Sequence, residues 1–172
     1  DGVFDCDETC AADTSGDDVC DEAFNCFTFD FDGGMCEAET CFDAEGDLGS
    51  ALGDAVVTGS TDAWEGMDDM WEGSCFAYTA SAESVYGWTA PSTGDFCFDL
   101  TDSEFDTSLA IFDSTCGSEL ACAEDSLGAP GYTSYTTVSL TEGDQVAIVI
   151  DRYGTFDSGM YYLNITEGTC SL

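Results

Sequence analysis

The chain has 172 residues, of which 37 are Asp or Glu and one, Arg152, is basic; it has no His, and its formal net charge is −36. This charge excludes nucleic acid and anionic membranes as partners, because every approach would meet repulsion. It also destabilises a compact fold, so we expect neutralisation by divalent cations, bulk salt or both. Calcium is the expected cofactor, since the chain offers mainly hard oxygen ligands.

Eleven cysteines without paired CxxC motifs indicate disulfides rather than zinc or iron–sulfur sites. Disulfides persist in oxidising compartments, so we expect an extracellular or cell-surface protein. The chain begins at Asp1 with no signal peptide, which we interpret as the mature, processed form. No apolar run approaches the roughly 18 residues that span a bilayer. A hydrophobic content of 44% favours a folded core over disorder.

Residues 1–41 are predicted to form a small disulfide-rich subdomain. This segment has few residues for a core and must be stapled to fold. Its six cysteines are Cys6, Cys10, Cys20, Cys26, Cys36 and Cys41. Acidic residues surround the pair Gly33-Gly34, whose sharp turn would bring their oxygens together around calcium. The predicted ligands are Asp17, Asp18, Asp21, Asn25, Asp30 and Asp32. A solvated acidic loop is the alternative.

Residues 42–172 are predicted to form the second domain, an all-β, two-sheet sandwich of jelly-roll type. Alternation with period two, interrupted by turn signals, predicts its strands. They are Ser84–Thr89, Gly94–Thr101, Thr107–Asp113, Ser134–Thr141, Gln145–Asp151 and Gly159–Ile165. Val146–Ile150 is apolar on both faces and should be a central strand. We expect partial helix only in Asp43–Ala55.

The second domain carries Cys75, Cys97, Cys116, Cys122 and Cys170. Cys116 and Cys122 are close enough in sequence for a bridge. The odd total requires at least one thiol that is free or bonded between chains. We expect a bridge from Cys170 to Cys41, with a free Cys170 as the alternative.

Three acids, Asp113, Glu124 and Asp125, flank the segment Cys116–Cys122 and form a second candidate calcium site. A hairpin with solvated acids is the alternative. The run Asp62–Glu72, which contains Trp64 and Trp71, is expected to pack onto the sandwich edge, with a sugar- or protein-binding loop as the alternative.

No catalytic site is expected. The absence of His removes the Ser, Cys and zinc hydrolase mechanisms. Asp106-Thr107-Ser108 imitates an aspartic protease signature, but that chemistry needs two carboxylates sharing a proton. A glycosidase-type carboxylate pair stays open, with nothing to single one out. Asn164-Ile165-Thr166 is an N-glycosylation sequon that makes Asn164 a candidate acceptor.

Residues from about Gly46 to Thr166 resemble the bacterial pre-peptidase C-terminal domain, a β-sandwich appended to many secreted proteins. The resemblance is carried by Thr89–Gly94, Glu104–Asp113, Cys116–Asp125 and Gly143–Asp151. It implies a non-catalytic accessory or binding module, and some family members bind calcium through acidic loops.

The N-terminal segment resembles a divergent Notch-type (LNR-like) repeat. The resemblance is carried by Gly16–Glu22, Asn25-Cys26 and Phe31–Cys36. It implies one calcium ion held between three disulfides, with Asp21, Asn25 and Asp32 as the best-matched ligands.

Together these observations predict a non-catalytic secreted structural protein, stabilised by calcium and disulfides, that self-associates into a filament or surface layer. The alternative is an extracellular accessory module that binds glycans or proteins. Its expected partners are copies of itself, divalent cations and glycans.

Overall fold

The computed structural model describes residues 2–4, 10–12, 46–60, 73–76, 83–126, 132–153 and 159–171. The chain divides into two compact units, Asp1–Cys41 and Phe42–Leu172. In the first unit, strands β1 (Gly2–Phe4) and β2 (Cys10–Ala12) pair antiparallel, with Gly2 opposite Ala12. The described residues contain no helix long and apolar enough to cross a membrane.

The described part of the second unit contains eight strands. In chain order they are β3 (Gly53–Ser60), β4 (Ser84–Thr89), β5 (Gly94–Asp99), β6 (Thr107–Asp113), β7 (Glu119–Glu124), β8 (Tyr135–Leu140), β9 (Gln145–Arg152) and β10 (Met160–Glu167). All six strands predicted from the sequence are present, with ends that differ by at most two residues. Strands β3 and β7 were not predicted.

Two antiparallel sheets share these strands equally. Sheet 1 has the order β3-β10-β5-β8, and sheet 2 has the order β4-β9-β6-β7. Apart from the β6–β7 hairpin within sheet 2, each described strand is followed by one in the other sheet. Eight strands in two such sheets are typical of a jelly roll. The predicted all-β, two-sheet fold is therefore confirmed.

The core lies between the two sheets. At its centre the ring of Trp88 meets the rings of Phe96 and Phe98 edge to face, with centroids 5.1 and 5.5 Å apart. These three side chains are fully buried, and such aromatic pairs add stability beyond the area that they bury. Other core side chains come from both sheets, including Leu109, Ile111, Val146, Ile148, Ile150, Leu163 and Ile165.

Three strands of sheet 2, β4, β6 and β9, are buried on both faces, whereas the strands of sheet 1 and the edge strand β7 are not. In β4, β6 and β9, consecutive residues are buried, although side chains along a strand alternate between faces. The second buried face is formed by Val85, Ala110, Phe112, Ala147 and Val149, which are outside the inter-sheet core cluster. In β10 and β8, by contrast, buried and exposed residues are mixed. The prediction that Val146–Ile150 forms a central strand is confirmed.

A short segment, Gly46–Ala51, runs along the outer edge of β4 and turns at Gly49-Ser50, and we call it the edge strip. It pairs with β4 in parallel through the bridge between Asp47 and Gly87. The expectation of partial helix in Asp43–Ala55 is wrong for the described residues of that range, which are the edge strip and the start of β3. Edge pairing satisfies the backbone groups that a helix would otherwise have satisfied.

One set of buried hydroxyls connects the two sheets. Tyr161 of β10 is 2% exposed, and its Oη lies 2.7 Å from Ser84 Oγ and 2.6 Å from Tyr86 Oη, both in β4. Gly59 lies opposite Tyr161 in the β3–β10 pairing. A Cβ at that position would overlap the phenol ring, so glycine leaves the space that the ring occupies.

Two disulfides of the sandwich have both cysteines within the part of the chain that the structure describes. Cys97 of β5 bonds to Cys170, and Cys75 bonds to Cys122 of β7. The expected bridge from Cys170 to Cys41 is therefore wrong, and so is its alternative, a free Cys170. The bridge suggested between Cys116 and Cys122 is also wrong, although Cys116 is disulfide-bonded. The unpaired thiol that the odd count requires is none of these five cysteines.

The Cys97–Cys170 bond follows from the register of sheet 1. Cys97 alternates with the core residues Phe96 and Phe98 and so lies on the outer face, opposite Thr137. After β10 ends, the Cys170 N–H donates to Thr137 Oγ1 at 2.9 Å, which brings the two sulfurs together. Proximity created by strand pairing, rather than sequence spacing, selects this partner.

Candidate functional site

An open hollow of about 360 Å³ lies on sheet 1, where β3, β10 and the turn after β5 meet. Its lining residues are Asp54, Ala55, Asp102, Glu104, Tyr162 and Asn164. Three of these are carboxylates, and none is basic. The hollow is therefore the candidate ligand-contact site of the described surface.

Asn164 organises the hollow from its floor. Its side chain is 8% exposed; Oδ1 accepts a hydrogen bond from the Ala55 N–H at 2.7 Å, and Nδ2 donates to Asp102 Oδ2 at 3.1 Å. The β3–β10 register shifts between Leu163 and Ile165, and Ala55 adopts a left-handed backbone with φ 47°. This bulge directs the Ala55 N–H towards Asn164 and joins β3 to the turn after β5.

The turn after β5 is fixed to β10 by backbone and side-chain hydrogen bonds. The Glu104 N–H donates to the Met160 carbonyl at 2.9 Å, and Glu104 Oε2 accepts from the Met160 N–H at 3.2 Å. The Tyr162 N–H donates to Ser103 Oγ at 3.2 Å. The carboxylate of Glu104 and the backbone that carries Tyr162 are thus held in place by sheet 1.

The hollow offers hydrogen-bond acceptors beside an aromatic ring. Carboxylates accept hydrogen bonds only, and the phenol of Tyr162 provides an apolar ring with a polar tip. The arrangement suits a ligand rich in donors, such as a sugar hydroxyl array or a cationic group. Among the residues that the structure describes, no group of three or more acidic or cysteine side chains is arranged to hold a metal.

The second predicted calcium site is not brought together. In the β6–β7 hairpin, Ser108 lies opposite Glu124, while Asp113 lies at the turn end, five residues further along β6. At about 3.3 Å per residue, Asp113 and Glu124 are about 16 Å apart along the sheet. One calcium ion bound at ~2.3–2.6 Å from its ligands cannot contact both. The predicted set Asp113, Glu124 and Asp125 therefore does not form one ligand cluster.

Asp113 instead closes the β6–β7 turn. Its Oδ1 accepts hydrogen bonds from Thr115 Oγ1 at 2.7 Å and from the Thr115 N–H at 3.1 Å. The hydrogen bond from the Thr115 side chain, with smaller contributions from Ser118 and against opposing desolvation, lowers the pKa of Asp113. Hydrogen bonds of this kind favour the charged carboxylate, so the side chain has a structural use.

Glu124 lies at the other end of the hairpin. Partial burial, followed by repulsion from the neighbouring Asp125 carboxylate, raises the pKa of Glu124. The surroundings therefore lower the pKa of Asp113 and raise that of Glu124. This contrast is consistent with separate environments at the two ends of one hairpin.

The remaining predictions divide into two groups. The ligands predicted in the first unit, Asp17, Asp18, Asp21, Asn25, Asp30 and Asp32, lie outside the described residues, and so does the Trp64–Trp71 run. Asn164 is described, and its amide is buried and engaged in two hydrogen bonds. A glycosylated Nδ2 keeps one N–H that can still donate to Asp102, so N-glycosylation of Asn164 stays a prediction.

Sequence reasoning missed the hollow. Asp54 lies in the unpredicted strand β3, and the pattern Gly53-Asp54-Ala55 lacks the apolar alternation of a strand. One signal was present, since Asp102 and Glu104 follow a predicted strand directly. Acids that end a strand beside a turn mark a rim where ligands meet loops.

No protein-family model matches the chain, and no curated protein matches it. Among solved structures, the chain is similar to the pre-peptidase C-terminal domain of collagenase from Bacillus anthracis, with a TM-score of 0.47 and 14% sequence identity. The similarity covers 71% of this chain and 95% of that domain. The collagenase domain belongs to the family that residues from about Gly46 to Thr166 resemble in sequence.

Proposed function

We propose that this chain is a non-catalytic extracellular structural protein whose copies assemble when divalent cations, calcium first among them, bridge their acidic surfaces. The observation that carries the proposal is the hollow on sheet 1, with Asp54, Asp102 and Glu104 at its lining and no basic residue beside them. The chain's single cation, Arg152, is half-buried in β9 and supplies no compensation there.

Charge makes the cation necessary for assembly. Two carboxylates 4 Å apart in water repel by about 1 kcal/mol. With a formal charge of −36 on each copy, many such repulsions add up at any contact between copies. Calcium accepts about six to eight oxygen ligands, so carboxylates from two copies can share one ion. The same ion then removes the repulsion and joins the surfaces.

The disulfides support an extracellular location. Cys97–Cys170 and Cys75–Cys122 join residues 73 and 47 positions apart, and such bonds persist in oxidising compartments. The absence of His supports a non-catalytic role, because it removes the most frequent general base. The resemblance of residues 1–41 to a calcium-holding repeat supports calcium as the ion.

The test is the size of the full oxidised chain at matched ionic strength. Light scattering after size exclusion and negative-stain microscopy are performed in CaCl2, in MgCl2, in NaCl and in EDTA. We expect assembly in CaCl2 but not in NaCl of the same ionic strength, because screening alone does not join surfaces. A monomer of about 18.2 kDa under all four conditions would refute the proposal.

Tyr162 favours a second candidate function, binding of a glycan or a protein at the hollow. An aromatic ring beside fixed acceptors is an arrangement that suits sugar contact. Glycan-array binding by the full chain should then be lost in Tyr162→Ala and kept in Tyr135→Ala, a control on the same sheet. Equal signals from the two variants would reject the hollow as the binding site.

A further inference from the structure

The edge strip covers one side of β4 mainly through backbone hydrogen bonds. The Leu48 N–H donates to the Gly87 carbonyl at 2.8 Å, and the Gly87 N–H donates to the Gly46 carbonyl at 3.1 Å. The Thr89 N–H donates to the Gly49 carbonyl at 2.7 Å. These bonds complete a sheet edge that would otherwise present unpaired donors and acceptors.

The strip is held by few side-chain contacts. Leu48 packs against the inter-sheet core while remaining partly exposed, and the Trp88 Nε1–H donates to the Ala51 carbonyl at 2.8 Å. Most of the remaining strip residues are exposed. Segments with few buried apolar contacts and exposed backbone hydrogen bonds open at low free-energy cost.

Two glycines give the strip freedom to leave. Gly49 has φ 60° and Gly53, just after the strip, has φ 124°, and a Cβ at either position would meet nothing within 4 Å. These left-handed backbones favour glycine, so a change of direction at Gly53 meets little steric resistance. The strip is thus a short segment that can detach from β4, and a hinge at Gly53 follows it.

We propose that the edge strip of one copy occupies the β4 edge of a second copy, so that copies join by strip exchange. This inference rests on the proposed assembly and names its contact. The strip and the edge are complementary because they already pair within one chain, and exchange keeps every hydrogen bond. The free-energy costs of the exchange are the opening of the strip and the charge repulsion between copies. Divalent cations offset the charge repulsion.

Strip and edge are different surfaces of the same molecule. A contact between two different surfaces closes a ring or continues as an open filament, whereas a reciprocal exchange closes a dimer. Each copy donates one strip and accepts one, so the exchange can propagate. A copy that lacks either part can join only one neighbour.

The experiment uses the full chain and either removes a backbone hydrogen-bond donor, at Leu48 or Thr89, or strains the left-handed backbone of the strip at Gly49. Leu48→Pro and Gly49→Val impair the strip, and Thr89→Pro impairs the edge. Leu48→Ala and Thr89→Ala keep the N–H groups and are the matched controls. Light scattering in CaCl2 gives the size of each variant and of mixtures, and near-UV circular dichroism checks each fold.

We expect wild type and the alanine controls to assemble, and Leu48→Pro, Gly49→Val and Thr89→Pro to stay monomeric when alone. A mixture of a strip variant with Thr89→Pro should form a 1:1 complex of twice the monomer mass, because one intact strip meets one intact edge. Assembly of the proline variants at wild-type size would overturn strip exchange and leave the proposed function standing. A monomeric wild type in every cation condition would refute both.

Discussion

The buried hydroxyls between the sheets allow a quantitative test of the packing. The perturbations are Gly59→Ala and Tyr161→Phe, made singly and together. A Cβ at Gly59 would lie 2.8 Å from Tyr161 Cε1 and closer still to the Cζ and Oη atoms. Tyr161 is 2% exposed, and its hydroxyl is hydrogen-bonded to Ser84 and Tyr86, so the ring has little room to turn away.

The magnitudes follow from these contacts. Tyr161→Phe removes two buried hydrogen bonds worth about 0.5–1.5 kcal/mol each, which predicts a loss of about 1–3 kcal/mol of unfolding free energy. Gly59→Ala overpacks the same site and should cost about 1–3 kcal/mol. In the double variant, the Cβ added at position 59 no longer clashes with the hydroxyl of Tyr161. The double variant should therefore lose at least about 0.5 kcal/mol less than the sum of the two single losses.

The assay is urea unfolding of the oxidised chain at fixed calcium and salt. Gly94→Ala is the control, since a Cβ at Gly94 meets nothing within 4 Å and should change stability by less than about 0.5 kcal/mol. Additive losses in the double variant, or a Gly59→Ala protein as stable as Gly94→Ala, would refute the packing argument.

Four further predictions concern the bonds and charges of the sandwich. Cys97→Ala with Cys170→Ala opens a crosslink over 73 residues, for which loop entropy predicts a loss of about 4 kcal/mol; a loss under about 1 kcal/mol in urea unfolding would contradict it. The pKa of Asp113 is lowered, so its carboxylate stabilises the fold above the ordinary value of 3.8, and this stabilisation is lost as pH falls through the lowered pKa. Asp113→Asn should thus lower the melting temperature at pH 7, and this loss should shrink as the pH is brought further below 3.8. The pKa of Glu124 is raised, so its ionised carboxylate destabilises the fold at pH 7. Glu124→Gln should therefore raise the melting temperature at pH 7 and leave it unchanged below the ordinary pKa of 4.5. A melting temperature that rises in Asp113→Asn or falls in Glu124→Gln at pH 7 would contradict the hydrogen bonds and burial described. Raising NaCl from about 0.01 to about 1 M shortens the Debye length from about 30 to about 3 Å and should raise the melting temperature; no change would mean that self-repulsion does not oppose folding.

Much of the sandwich could be predicted because its buried strands carry a local signal. Val146–Ile150 is apolar on both faces, and the structure places it between β4 and β6, where both faces are buried. Strand β3 gives no such signal, since an edge strand with a bulge at Asp54-Ala55 needs few apolar residues. Burial imposes a pattern on the sequence, and an exposed edge does not.

Contacts between distant segments could not be predicted from spacing. Cys116 and Cys122 are close in sequence, yet Cys122 bonds to Cys75, which is 47 residues away. Asp113 and Glu124 flank one short segment of the sequence, yet the pairing of β6 with β7 places Ser108, and not Asp113, opposite Glu124. Disulfide partners and ligand clusters depend on register, which is fixed by the whole sheet rather than by one segment.

The position of β10 in sheet 1 has a consequence for synthesis. This last strand of the sandwich lies between β3 and β5, the first strand and the third, so sheet 1 is divided until β10 arrives. Pairings so distant in sequence form slowly, and a partly made chain leaves two sheet edges open. A chain emerging from a ribosome therefore cannot close its core before residue 167 has passed.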